Sequence, residues 1–187
     1  MEMTPNFVES ILYVYSKGFP GHEERFCSFR DAFSARLDSY IRKSGRYLEG
    51  AITGEIGNKT FDHNFDFSEN FPRGIYFNHD AEDLIVLADY GNGIRETLSR
   101  VVTTLASDVD AIETAFTKVV SGSAPEQRGN GLKFVLSGML DNRWTMYFHS
   151  GHACCRVADG VVKYESSPSS ISGCLAILDF GKQVWSA

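Results

Sequence analysis

The chain has 187 residues, 43% of them hydrophobic and 22% charged, with 14 Phe and 8 Tyr. That composition argues against a disordered chain and for one compact domain with a sizeable core, since a single core still covers roughly 150–200 residues. The balance of 18 Lys and Arg against 24 Asp and Glu gives a net charge of -6, so neither nucleic-acid phosphates nor an anionic membrane is an expected partner. No apolar run approaches the roughly 18 residues of a membrane span, and the stretch 1–6 lacks the basic start of a signal peptide, which makes the cytoplasm the expected address.

The apolar residues Phe7, Ile11, Leu12, Val14 and Tyr15 recur at helical spacing and predict a short first helix, stopped by Lys17-Gly18-Phe19-Pro20-Gly21. A second helix is predicted from about Phe26 to Arg42, with Gly45 ending it, and a third from Leu48 to about Phe65. After the break at Ser68 to Pro72, the apolar runs Gly74–Phe77 and Leu84–Ala88 read as paired strands. Helical spacing returns at Ile94–Leu105 and Asp108–Val120, the latter with Ser107 as N-cap and Asp108 and Asp110 in its first turn. A loop, Ser121–Asn130, leads to a short helix at Leu132–Leu140. Strands are predicted at Trp144–His149, Cys155–Val157, Val161–Tyr164 and Cys174–Phe180. Without regular βα alternation, the expected fold class is a two-layer α/β sandwich, with helices packed on one face of a mixed, mostly antiparallel sheet. Residues 1–45 read as a helical extension, and 46–182 as the domain proper.

The four cysteines, Cys27, Cys154, Cys155 and Cys174, show no CxxC spacing and fit a reducing compartment. His149, His152, Cys154 and Cys155 gather four soft-metal ligands in one short segment. The same segment reads more simply as strand, Ser150-Gly151 turn and strand, in which alternation sends the adjacent cysteines to opposite faces.

Three stretches are candidates for chemistry. Counting from Glu55, Asn58, Lys59, Asp62 and His63 fall three, four, seven and eight residues on, one face of a helix. Such a stripe is either a solvated face or the floor of a cleft. Gly50, Gly54 and Gly57 lie off it, and each costs about 1 kcal/mol relative to Ala in a helix, which suggests close packing against a neighbour. In the second stretch, Asp89-Tyr90-Gly91-Asn92-Gly93-Ile94, an acidic residue ends an apolar strand and can accept from an exocyclic amine, while the glycines let a flat ligand approach. The same residues also describe an ordinary turn. The third, Gln127-Arg128-Gly129-Asn130-Gly131-Leu132-Lys133, is a glycine loop opening a helix, where exposed amides favour anions. It lacks the Walker spacing and has no βαβ unit around it.

In order and spacing, these blocks resemble the GHKL ATPases, the Bergerat-fold group of histidine-kinase catalytic domains, gyrase, Hsp90-type proteins and anti-sigma-factor kinases. Glu55 to His63 looks like the N box, Asp89 to Gly93 like the first glycine box and Arg128 to Leu132 like the second, while Ser172-Gly173-Cys174-Leu175 falls where the family closes with Gly-Thr. The resemblance implies that Asp89 accepts from the adenine amine, that Gly91 and Gly93 shape the base pocket beside Ile94 and Cys174, and that the stretch from Ile94 to Ser123 forms a lid. It also implies that Arg128, Gly129, Asn130, Gly131, Leu132 and Lys133 face the phosphates and that Glu55 is the catalytic acid/base, with Asn58, Lys59, Asp62 and His63 lining the nucleotide site. The implied cofactors are ATP or ADP, with magnesium in doubt. The family's magnesium-ligating Asn stands four residues after the Glu, where this chain has Lys59; Asn58 is then the nearest metal ligand. An ammonium has no lone pair for a metal.

Two function classes follow from the resemblance: an adenine-nucleotide-binding regulatory protein with weak or no turnover, and an active stand-alone ATPase or serine/histidine protein kinase. Lys59 favours the first. Both imply a protein partner, and the N-terminal helices offer a route to a homodimer. His22-Glu23-Glu24-Arg25 resembles a phosphoacceptor start, but it lies too close to the N box for a dimerisation hairpin, so His22 reads as a surface histidine.

Overall fold

The computed structural model describes residues 3–63, 72–81, 83–118 and 130–181. Helices α1 (Pro5–Ser16), α2 (Arg30–Ser44) and α3 (Tyr47–His63) surround the short strand β1 (Phe26–Cys27) in sequence. Strands β2 (Ile75–Ala81) and β3 (Leu84–Asp89) come next, then α4 (Gly93–Ser99), α5 (Asp108–Thr117) and α6 (Gly131–Asp141), and last β4 (Thr145–Ala158) and β5 (Val161–Asp179). The strands form one open α/β-sandwich sheet in the order β1-β2-β3-β5-β4. Every neighbouring pair is antiparallel, so the mixed character expected from the sequence is absent among the described strands.

Local chemistry sets the helix limits. Thr4 caps α1 by accepting from the Phe7 amide at 3.3 Å, with Pro5 at the first helical position. The α2 helix starts later than periodicity predicts, because Phe26 and Cys27 pair with Tyr76 and Ile75 as an edge strand; Gly45, at φ +70°, closes it. The glycines of α3 face α2. A Cβ at Gly57 would run into the Phe33 ring and one at Gly50 into Ile41, while one at Gly54 would lie 3.2 Å from Leu37. The close packing expected from these glycines is therefore present, and burial of Phe33 and Leu37 offsets the helix cost of the glycines. Ser107 caps α5, accepting from the Asp110 amide. The helix predicted over Ile94–Leu105 ends at Ser99, where Val101-Val102-Thr103-Thr104 supplies a β-branched run of low helix propensity.

Both faces of the sheet are covered. Ile85 and Leu87 of β3 join the main core with Phe33, Ile52, Phe116, Val135 and Phe148, which come from α2, α3, α5, α6 and β4. Leu84, Val86 and Ala88 point the other way, into a second cluster with Val8, Tyr15 and Phe19. The fold is the expected two-layer α/β sandwich, with α2, α3, α5 and α6 on one face of the sheet, and α1 adds a cover on the opposite face. Phe19 stacks on Tyr76 at 3.8 Å and Tyr15 on Tyr90 at 4.5 Å, which is why all six β3 residues are buried.

The last strands also depart from the sequence reading. Ser150-Gly151 is a bulge within one continuous β4, with Gly151 at φ +59°. It shifts the alternation, so Met146 and Phe148 before it and Ala153, Cys155 and Val157 after it all face the main core. The hairpin turn lies at Asp159-Gly160, with φ of +54° and +73° as a two-residue type I′ loop requires. Among the described residues no helix is long and apolar enough to cross a membrane.

Candidate functional site

A narrow slot opens between α3, α4, α6 and the ends of β3 and β5. Its walls are Ile56, Ile75, Leu87, Ala88, Ile94, Leu132, Phe148 and Ala176, with Thr60, Asp89 and Cys174 as inner polar groups and Lys59 among its lining residues. The cavity volume is about 50 Å³, the space of a few waters.

Asp89, the last residue of β3, is 5% exposed. Its Oδ1 accepts from the Gly91 amide at 2.9 Å and its Oδ2 from the Thr60 hydroxyl at 3.0 Å, which fixes the plane of the carboxylate. Gly173, at φ +76°, lets β5 pass so close that a Cβ there would strike the Asp89 carbonyl oxygen. Cys174 follows it; burial and the neighbouring Asp89 charge push its thiol up, so it stays neutral and donates to Ser150 Oγ at 3.7 Å. Ser150 is itself fixed, donating to the Gly173 carbonyl and accepting from the Ile94 amide. From behind the sheet, the Tyr15 hydroxyl donates to the Asp89 carbonyl at 2.8 Å and also reaches the Ser172 carbonyl, while the Tyr90 hydroxyl donates back to the Tyr15 carbonyl at 2.7 Å. Burial and the Asp89 charge hold the Tyr15 phenol well above its ordinary range.

The mouth is different. Gly131, at the start of α6, lies so close to Glu55 that a Cβ on it would strike the Glu55 carboxylate; Lys59 Cε would be 3.4 Å away. The first turn of α6 has no acidic residue and the Asn130 side chain makes no capping bond, with Lys133 nearby in sequence.

The expected site residues therefore divide. Lys59, Asp89, Gly93, Ile94, Leu132 and Cys174 line the slot, Gly91 holds the carboxylate, and Glu55, Asn130 and Gly131 stand at its mouth. Asn58 is half-buried on α3 but is not a lining residue, and Asp62 is drawn aside to Arg30 of α2. The polar stripe is thus not the floor as a unit: α3 turns Ile56, Lys59 and Thr60 to the slot. Arg128, Gly129 and the end of the stretch read as a lid lie outside the described residues, as does the His63 side chain. The described part of that stretch is anchored, with Ile112 and Phe116 of α5 in the main core. His22 is exposed. Sequence reasoning missed Thr60, Ser150 and Tyr15, although Thr60 stands one turn after Ile56 and could have been placed with it.

The His149 segment does not form a metal centre. His149 is fully buried with its Nδ1 3.0 Å from the Tyr147 hydroxyl and its Nε2 facing the Gly151 and Ser169 carbonyls, while His152 is exposed. Burial lowers the His149 pKa, so the ring is neutral, with the proton on Nε2 facing the two carbonyls. Cys154 and Cys155 face opposite sides of the sheet, and burial pushes the Cys155 thiol up to about 12. Among the described residues no group of three or more His, Cys, Asp or Glu is arranged to hold a metal ion. No family model matches the chain, and no curated protein matches it.

Proposed function

We propose that this protein is an adenine-nucleotide-binding regulatory module of the GHKL type, with weak or no magnesium-dependent turnover, acting through a protein partner. The observation that supports this most is convergence. Three stretches far apart in sequence, around Lys59, Asp89 and Gly131, meet at one slot whose inner end is a buried carboxylate and whose mouth holds Lys59, Glu55 and the start of α6. A flat base with an exocyclic amine suits the inner end, where Asp89 is an acceptor in apolar surroundings. Phosphates suit the mouth, where the α6 amides and Lys59 favour negative charge.

The donor set at the mouth fits magnesium poorly. Lys59 offers no lone pair, and Asn58, the nearest amide oxygen on the same helix, is not a lining residue. In this reading the nucleotide is held by Lys59 and the helix start without a metal, and Glu55 stands beside the phosphates without a metal-activated group to work on. Calorimetric titration with ATP and ADP, each with magnesium and with chelator, tests the proposal together with a phosphate-release assay. Binding in the micromolar to low millimolar range that survives chelator, with negligible phosphate release, is the expected result. No binding at millimolar nucleotide would overturn it, and rapid magnesium-dependent release would replace it with the ATPase or kinase reading.

A further inference from the structure

The stretch that carries α1 is fastened to the sheet by side chains. Among the described residues, the backbone–backbone bonds of the stretch 4–22 are local and none reaches a strand. Val8, Tyr15 and Phe19 are buried on the rear face, with Ile11 and Leu12 packed beside them. After the helix the chain turns through Gly18, Phe19 and Gly21 at φ of +77°, +51° and +78°. Phe19 thus holds a left-handed backbone that a non-glycine residue adopts only under constraint, here the stacking of its ring on Tyr76. A segment held by a few anchors and no ladder is one that opens on its own. The last anchor reaches the slot. The β3–β5 ladder ends at the pair Asp89 and Cys174, and there the Tyr15 hydroxyl takes over, meeting the Asp89 carbonyl of one strand and the Ser172 carbonyl of the other. One phenol from α1 therefore closes the end of a ladder whose final pair, Asp89 and Cys174, lines the slot.

We propose that α1 is a releasable arm that controls the slot from the far side of the sheet. Docked, it clamps the ends of β3 and β5 together and keeps Asp89 and Cys174 in place. Released, it lets the two strand ends part and opens the slot at Cys174. Whatever draws α1 off the sheet then acts on the slot without entering it, and by linkage a ligand that prefers the clamped slot holds α1 down. This control belongs to the shape of the slot and does not depend on the ligand's being a nucleotide.

The cysteines report on it in the full chain without any ligand. Thiol alkylation read by peptide mass spectrometry gives a rate for Cys174 at the slot and a reference rate for Cys155 in the main core, while amide hydrogen exchange follows α1 itself. Val8→Ala truncates a buried side chain of α1 about two turns from Tyr15 and leaves the clamp intact. Exchange in α1 and alkylation of Cys174 should both rise by the same factor, about fivefold or more. Leu37→Ala loosens the main core at α2 instead, and should raise alkylation of Cys155 while leaving Cys174 unchanged. Faster α1 exchange in Val8→Ala with Cys174 unmoved would make α1 a passive cover and overturn the proposal, as would unchanged α1 exchange in that variant. Cys174 rising together with Cys155 in Leu37→Ala would make its exposure an event of global unfolding and overturn it too. If Leu37→Ala is not recovered folded, the milder Leu37→Val supplies the same comparison.

Discussion

At the inner end of the slot, Asp89 and Thr60 are 5% and 3% exposed, and their bonds tie α3, the end of β3 and the turn at Gly91 into one unit, with α1 holding the Asp89 carbonyl from behind. At the mouth, a few residues along the same helix, Glu55 is exposed and Lys59 half-buried, and neither is held by a described ion pair. The two ends can therefore do different things. Hydrogen bonds in a dry, fixed frame are strong and directional, and so can discriminate between ligands. Charges in solvent attract any anion, contribute less, and fade with salt.

That contrast predicts its own largest effect at Asp89. In Asp89→Asn the amide oxygen must face the Gly91 N–H, so the NH₂ replaces the oxygen beside Thr60 and the inner end gains a donor. Adenine-nucleotide affinity should fall by about 1 to 3 kcal/mol, roughly ten- to a hundredfold, in calorimetric titration. Equal affinity in wild type and variant would reduce Asp89 to a turn residue. Next in size is Tyr15→Phe, which keeps the ring stacked on Tyr90 but removes the donor from the Asp89 and Ser172 carbonyls. Stability measured by urea unfolding should drop by about 1 to 2 kcal/mol, and nucleotide affinity should fall with it because the inner end loses its rear support. A variant with wild-type stability and affinity would show that α1 is a passive cover.

Much of this frame was legible in the sequence, for reasons that differ by element. The α3 glycines announced a close neighbour because each is costly in a helix unless something needs the space. Asp89 and its glycines announced a strand-end turn. The helical period did not show which way α3 faces: polarity pointed to Glu55, Asn58 and Asp62, but Asp62 is drawn to Arg30 and the slot takes Ile56, Lys59 and Thr60. A hydroxyl that joins its helix to a distant carboxylate leaves no periodic trace, and neither does Tyr15, whose partners lie 74 and 157 residues away. The bulge at Ser150-Gly151 was read as a turn because strand ends and bulges share glycine, while Asp159-Gly160 had the better hairpin signature. The glycine reading is open to a direct check. Gly57→Ala gains about 1 kcal/mol of helix propensity but forces a methyl group into the buried Phe33 ring, for an expected net loss of about 1 kcal/mol by thermal melting. Gly54→Ala, with 3.2 Å to Leu37, should be near neutral. Equal effects would show that α2 and α3 are not held as closely as their contact implies.

The smallest effect belongs to the mouth. Lys59 is half-buried among the slot's lining residues, with its Cε near the start of α6, so its ammonium can meet a phosphate that the helix amides also face. A cation there repels a divalent metal and supplies part of the charge the metal would bring. ATP binding by the wild type should therefore change little with chelator and weaken as salt is raised. Lys59→Asn should cost about 1 kcal/mol or less in affinity without metal, because an exposed charge pair contributes little. The same change puts an amide oxygen one helical turn from Glu55, at a spacing that lets both face one metal, so binding should become magnesium-dependent and phosphate release through Glu55 should rise. The opposite pattern, strong magnesium dependence in the wild type that is lost in Asn58→Ala and unchanged in Lys59→Asn, would mean that Asn58 takes the metal and Lys59 leans to solvent. The mouth would then be a metal site, and its contrast with the closed inner end would rest on exposure alone.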